Sequence, residues 1–152
     1  MEVLIKNSTN SEIFTTLFQH MKLFTENLNV HFHEDKVFIQ GMDNAHVSVF
    51  EINLPKDWFD EYSLDTQTTI GINTIMLFKV LNTHDKTHSI QLKLESSDSD
   101  KLEIHLLSEN TNVVDLHYAI PLIDIDSEIM SIPETEYQGE ISFPSYTFST
   151  LI

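Results

Sequence analysis

Histidine and carboxylate side chains come together at one predicted turn of the sequence. His31 and His33 alternate along a predicted strand, so both side chains should point to the same face, and Glu34 and Asp35 follow directly. Zinc and nickel accept imidazole and carboxylate ligands. A metal-dependent enzyme that uses His31 and His33 is therefore one hypothesis. Two exposed histidines beside a hairpin explain the same residues, and a pair of close ligands favours that simpler interpretation.

A second acidic cluster resembles the start of a calcium-binding loop. Asp124, Asp126 and Glu128 have the right alternation, but the positions that need a glycine and a final glutamate hold Ile129 and Thr135. The chain also lacks a nucleophile elbow, a phosphate-binding loop, a dinucleotide fingerprint and a zinc-protease helix motif. The sequence therefore predicts no catalytic residue, no metal site and no cofactor.

The charge of the chain limits how it could act on nucleic acid. The formal net charge is −16, and all 8 lysine-plus-arginine residues are lysines. Arginine is the usual residue for bidentate contacts to phosphate and guanine, so its absence argues against direct reading of a DNA sequence, and an acidic surface repels nucleic acid. The chain has no cysteine, and no stretch of it has the pattern of a signal peptide or a membrane span, so we expect neither secretion nor membrane association.

The hydrophobic periodicity predicts an α+β fold. A first helix is indicated by apolar residues at helical spacing: Ile13, Phe14, Leu17, Phe18, Met21 and Phe24. They leave one polar stripe: Thr15, Gln19, Lys22 and Glu26. A hairpin and a further strand follow, then a strand, a short helix and three alternating strands. This order predicts two β-α-β-β-β halves, with helices on one face of antiparallel sheets.

The pattern changes after residue 120. We expect a domain over residues 1–120, a connector over 121–136, and the start of an incomplete second domain over 137–152, where "QGEISF" predicts a strand and the residues after it a helix. Within the first domain, Met42, His46 and Val47 stand together at the start of a strand. An apolar strand face of this kind needs a cover, and methionine suits an adaptable binding surface; ordinary core packing is the alternative.

Three stretches carry a family resemblance. In order and spacing, the chain resembles the sliding clamps of the proliferating cell nuclear antigen (PCNA) family in "FIQGMDNAHVSVFEINL", "IGINTIMLFKVL" and "IDIDSEIMSIPETEY". The resemblance covers the whole chain but only the first half of a typical clamp subunit. It implies a non-enzymatic DNA-clamp fold in which six similar domains, two per subunit, close head-to-tail around duplex DNA. Helices line the hole and sheets form the outside.

The resemblance also implies a docking site for partner peptides. One wall of an apolar pocket would come from Met42, His46 and Val47, and the connector would supply another: Ile129, Met130, Ile132 and Pro133. The family usually has leucine where Met130 stands, and a third wall belongs to the second domain. The implied partners are DNA polymerase, other proteins with clamp-binding peptides, and a clamp loader. The implied setting is the nucleus or another site of DNA replication, a cytoplasmic one if the protein is viral.

Two further surfaces follow from the same resemblance. The family carries basic residues on the helices that face DNA, and the polar positions here are Thr15, Thr16, Gln19, Lys22, Lys79 and Asn82. With only two lysines left, we expect the ring to hold DNA by topology, with weak affinity. The complete subunit would form a homotrimer through an edge strand at residues 112–120, whose apolar residues are Val114, Leu116, Tyr118 and Ile120. A stand-alone peptide-binding adaptor that never encircles DNA is the alternative.

Overall fold

The computed structural model describes all 152 residues. The first half of the chain forms β1 (Glu2–Ile5), α1 (Ser8–Phe24), β2 (Asn27–Phe32), β3 (Lys36–Met42), β4 (Val49–Pro55), a 3₁₀ turn (Lys56–Trp58) and β5 (Glu61–Ser63). The second half forms β6 (Thr68–Asn73), α2 (Thr74–Leu81), β7 (His88–Lys93), β8 (Lys101–Ser108), β9 (Leu116–Pro121) and, after a long irregular segment, α3 (Ser145–Leu151).

The strands form two sheets in which every pairing is antiparallel. One sheet has the order β5-β1-β7-β8-β9 and the other the order β4-β3-β2-β6. The α+β prediction is therefore confirmed. However, the first strand of each half lies in the other half's sheet, since β1 pairs with β7 and β6 pairs with β2. The two halves are thus not self-contained, because both sheets and both helices share one hydrophobic core.

The core is formed by alternate residues of each strand. Ile39 in one sheet and Ile90, Ile104 and Leu106 in the other have no exposed surface. Phe18 of α1 is also buried, and burying a side chain of this size stabilises the fold by about 1.5–3 kcal/mol. The outward-facing positions are left for polar residues and for binding.

Helix α1 begins where its sequence predicts, but it presents a different face to the core. The side-chain oxygen of Asn7 caps the helix by accepting hydrogen bonds from the N–H groups of Thr9 and Asn10. Thr15, predicted on the exposed polar stripe, is buried, and Ile13, predicted in the core, is 49% exposed. The buried face of α1 consists of Ser11, Phe14, Thr15, Phe18 and Met21, and α2 packs against the same helix.

The burial of Thr15 costs little because its hydroxyl group forms a hydrogen bond within the helix. Its Oγ1 donates a hydrogen bond of 2.9 Å to the carbonyl oxygen of Ser11. Glu26, also assigned to the stripe, lies beyond the end of α1.

The segment after β9 is irregular. No strand forms at "QGEISF", contrary to the sequence prediction, because no neighbouring strand pairs with it, and Ile141 is 85% exposed there. The helix predicted to follow is present as α3, with every residue exposed. Strand β9 is also shorter than predicted: residues 110–113 form a turn closed by a hydrogen bond from the N–H of Val113 to the carbonyl of Asn110, 2.9 Å. The domain boundaries at 120 and 136 stay predictions.

Candidate functional site

One row of residues crosses the outer face of the four-stranded sheet. The strand register places Gly71 opposite Asn29 and Gln40 opposite Glu51. The pairing of Val30 with Ile39 sets Asn29 beside Gln40, so Gly71, Asn29, Gln40 and Glu51 line up, one on each strand. We call these four residues the seat row, because the segment after β9 lies across three of them.

The first two contacts of the seat row hold the start of the connector. The carbonyl oxygen of Gly71 accepts a hydrogen bond from the N–H of Ile123 at 2.9 Å. The side-chain amide of Asn29 donates to the carbonyl of Ile125 at 3.1 Å and to the hydroxyl of Ser127 at 2.9 Å. A Cβ atom on Gly71 would lie 2.0 Å from the carbonyl oxygen of Ile123, so only glycine allows this approach.

The third contact holds both backbone groups of one connector residue. The Nε2 group of Gln40 donates to the carbonyl of Met130 at 2.8 Å, and the N–H of Met130 donates back to Oε1 of Gln40 at 2.7 Å. Nε2 also donates to a carboxylate oxygen of Glu51 at 2.8 Å. The connector therefore crosses the sheet at a fixed position, with Met130 above β3.

A structured loop follows β3 and borders the same face. The Asp43 carboxylate accepts hydrogen bonds from the N–H groups of Ser48, at 2.6 Å, and Val47, at 2.8 Å. These backbone hydrogen bonds, that from Ser48 above all, lower the pKa of Asp43. His46 has a φ of 58°, in the left-handed region, which lets the chain turn back into β4. The loop leaves the Val47 side chain 83% exposed.

The predicted peptide-docking residues belong to three segments: β3, the loop after it and the connector. Met42 follows Gln40 by two residues on the same face of β3, about 7 Å along the strand. His46 and Val47 belong to the loop that follows Met42, and the backbone of Met130 is tethered to Gln40. Ile132, 52% exposed, and Pro133, also exposed, follow Met130 by two and three residues.

The connector residue Ile129 lines a shallow depression together with His33, Phe38 and Gln67. Phe38 lies four residues before Met42 on β3, about 13 Å away. The place of Ile129 in the connector wall of the peptide pocket stays a prediction, and its contact with this depression favours an orientation towards Phe38.

The helices form the second predicted surface. Thr16, Gln19, Lys79 and Asn82 are exposed on α1 and α2 as expected, whereas Thr15 is buried and drops out. The ammonium group of Lys22 lies 3.8 Å from the centre of the Phe78 ring. This cation–π contact, worth about 0.5–1 kcal/mol at an exposed site, gives a role to an aromatic residue on α2 that periodicity alone does not explain.

The third predicted surface is the edge strand β9. It pairs only with β8, so one edge of its backbone is free, as predicted. Leu116, Tyr118 and Ile120, however, pack against the domain's own core, and Ile120 is only 3% exposed. Val114 precedes the strand, is 75% exposed, and accepts a hydrogen bond on its carbonyl from Nε2 of His88 at 2.9 Å. The apolar face of this strand thus belongs to the core, and any contact through the edge would be made by the backbone.

The histidine pair does not form a metal site. The His31 and His33 rings are stacked with centroids 6.3 Å apart, and Nδ1 of His31 is in a hydrogen bond of 2.9 Å with the hydroxyl of Thr69. Partial burial, and then the neighbouring His33, lower the pKa of His31. No group of three or more potential ligands in the structure could hold a metal ion.

The contacts that the sequence did not reveal are those between the seat row and the connector. A glycine inside a strand often marks a close backbone approach, so Gly71 carried a readable signal. Asn29 and Gln40 looked like ordinary outward-facing polar residues, because their connector partners are far away in the sequence. Ile125 lies 96 positions after Asn29, and Met130 lies 90 positions after Gln40.

The fold and the seated connector define a clamp-type domain with two antiparallel sheets. A solved structure of the same class, PCNA from Thermococcus kodakaraensis, superposes with a TM-score of 0.77 at 20% identity, over 88% of this chain and 51% of that one. The family model for the N-terminal domain of proliferating cell nuclear antigen matches residues 3–129. The chain therefore belongs to the PCNA N-terminal domain family.

Curated relatives agree with that assignment. Proliferating cell nuclear antigen of Chaetomium thermophilum is 30% identical over 141 residues, which are 93% of this chain and 54% of the relative. The Saccharomyces cerevisiae protein is 27% identical over 143 residues, again 93% and 54%. Plasmodium falciparum PCNA 2 is 26% identical over 143 residues, 91% and 54%. The chain thus spans about half the length of these relatives. Family members are not enzymes, which removes the basis for the metal-enzyme hypothesis. None of the helices could cross a membrane, being too short or too polar.

Proposed function

We propose that the chain is the first domain and connector of a sliding clamp that encircles duplex DNA and tethers DNA polymerase and other replication and repair proteins. The observation that carries this proposal is the connector held across the sheet by Asn29, Gln40 and the backbone of Gly71. The held connector borders the loop that exposes Val47. We propose that these two surfaces, one from the sheet and one from the connector, border a common peptide groove.

The groove suits an extended peptide with apolar side chains. Met42, Val47, Met130 and Ile132 offer apolar surface, and methionine adapts to different partners. The loop wall is stabilised by the Asp43 carboxylate, and the connector wall by Gln40, so neither has to be ordered by the ligand. We propose a ligand with a glutamine, an aliphatic residue and two aromatic residues.

The helix surface fits a clamp that holds DNA without tight binding. Lys22 lies over Phe78, and Lys79 is the other lysine on that surface. Each phosphate contact adds roughly one unit to the salt slope of binding, so two lysines at a net charge of −16 give little affinity. We therefore expect negligible binding to a short linear duplex at physiological salt.

The decisive experiment is calorimetric titration with a synthetic peptide of that composition. We expect micromolar or weaker affinity, about −8 kcal/mol or poorer, because the family resemblance assigns a third wall of this pocket to a second domain and the chain spans about half the length of its relatives. Ile132→Glu should abolish binding by placing a charge in the groove. Ile141→Glu is the matched control, since Ile141 is an exposed isoleucine of the tail outside the groove. If Ile132→Glu and Ile141→Glu lose the same peptide affinity, the peptide does not bind in this groove.

Assembly on DNA tests the rest of the proposal. We propose that the complete subunit forms a homotrimer, is opened by a clamp loader and works at sites of DNA replication, the nucleus in a eukaryotic host. The trimer would use the free backbone edge of β9. A clamp is retained on circular DNA and slides off linear DNA, whereas a stand-alone adaptor shows no difference between the two.

A further inference from the structure

We propose that Gln40 is the positioning residue that sets the connector wall of the peptide groove, and that Glu51 fixes the orientation of its side-chain amide. This inference rests on the proposed function of that groove. It concerns residues on the sheet that do not themselves line the groove.

The hydrogen-bond pattern of Gln40 resembles one rung of a β-sheet made by a side chain. Its amide donates to the carbonyl and accepts from the N–H of the same residue, Met130, at 2.8 and 2.7 Å. Both backbone groups of a connector residue are thereby satisfied without an added strand. A single side chain thus fixes both the height and the register of the connector at this point.

Glu51 determines which way the amide points. A carboxylate only accepts hydrogen bonds, so the group of Gln40 that faces it must be the Nε2 donor, here 2.8 Å away. The same Nε2 then reaches the carbonyl of Met130, and Oε1 is left for the N–H. A flipped amide would place an oxygen against two acceptors.

The tether at Met130 controls the residues that follow it. Between Met130 and Ser145 no residue hydrogen-bonds to either sheet. Ile132 and Pro133 are therefore positioned by a tether only two and three residues before them. Without Gln40 the nearest fixed point would be the Ser127 hydroxyl on Asn29, five residues before Ile132.

The test combines hydrogen exchange with peptide titration on the whole chain. In Gln40→Ala, the amide of Met130 should exchange faster, and the peptide used above should bind about tenfold more weakly, the equivalent of about 1.4 kcal/mol. Gln40→Glu should lose more, because a carboxylate would face both Glu51 and the Met130 carbonyl. Glu51→Gln keeps an acceptor and should retain binding, whereas Glu51→Ala should weaken binding, at most by as much as Gln40→Ala does.

Gln91→Ala is the matched control. Gln91 also lies on an outer sheet face and also donates its amide to a carboxylate, that of Glu2. Gln91→Ala should change neither the exchange rate of the Met130 amide nor the affinity for the peptide. Thermal unfolding of all variants should stay close to the parent, since these side chains lie outside the core.

Three results would overturn the inference. An unchanged exchange rate at Met130 in Gln40→Ala would show that Gln40 does not hold the connector. Faster exchange at Met130 with unchanged peptide affinity would show that Gln40 does not position the groove wall. A parent chain that binds no peptide overturns the proposed function and the docking role together, and the exchange rate at Met130 then still decides whether the tether exists.

Discussion

Replacing Gly71 by alanine is the sharpest perturbation of the seated connector. The new Cβ atom would lie 2.0 Å from the carbonyl oxygen of Ile123 and 3.1 Å from Cδ1 of Ile125, although such contacts essentially never fall below 3.0 Å. The connector must therefore rise by about 1 Å. That movement breaks the hydrogen bond between the N–H of Ile123 and Gly71, worth about 1 kcal/mol.

The cost should be confined to the connector. Gly71 lies on β6, an edge strand, and the obstructing atoms belong to an irregular segment that can move away. Alanine also lowers the entropy of the unfolded chain, which stabilises by about 0.4–1 kcal/mol where the backbone tolerates it. We expect the free energy of unfolding to change by less than about 1 kcal/mol. Peptide affinity should fall roughly fivefold to tenfold, as expected for the loss of about 1–1.4 kcal/mol.

Hydrogen exchange resolved by residue measures both effects. The amides of Ile123 and Met130 should lose protection in Gly71→Ala, while the core strands keep theirs. Gly139→Ala is the control, because a Cβ there meets nothing within 4 Å. Unchanged protection in the connector, with an unchanged midpoint of thermal unfolding, would show that the connector does not lie against Gly71.

Three further predictions concern single side chains. Phe78→Leu should release Lys22 and cost about 0.5–1 kcal/mol of unfolding free energy, measured by denaturant titration against Phe78→Tyr, which keeps an aromatic ring. Burial is the main cause of the lowered pKa of His105, so the unfolded chain takes up that proton more readily. The contribution of neutral His105 to the free energy of unfolding should be fully present above the ordinary histidine pKa of about 6.5 and should decrease as the pH drops below it. In a pH series of thermal melts, the unfolding temperature of His105→Gln should therefore decrease less than that of the parent chain. Asp43→Ala removes the acceptor for two loop N–H groups, so those of Val47 and Ser48 should exchange faster, and unchanged rates would rule out these two hydrogen bonds.

Local patterns explain why much of the fold could be predicted. Alternation in β2 and β3 and the turn between them gave the hairpin, and the apolar spacing gave α1. The face of α1 was misplaced at Thr15 because tertiary contacts, such as those with α2, decide which face of a helix is buried. Likewise, β1 and β6 exchange sheets through pairings that no local pattern reveals.

The candidate site was predictable only in part. The resemblance named Met42, Val47 and Met130, and their place in one groove stays a prediction. It could not show that the connector is tethered to the sheet at Met130, because the tether depends on Gln40. That tether joins residues 90 positions apart, and a polar residue on an outer strand face gives no sign of it.

Mapping the bound peptide by NMR tests the central claim most directly. With methyl groups of methionine, valine and isoleucine labelled, titration of the peptide should shift the signals of Met42, Val47, Met130 and Ile132. The signal of Ile129 should stay in place, because its side chain lines the depression with Phe38. Largest shifts at Ile129, with Met42 and Val47 unmoved, would contradict the proposed groove.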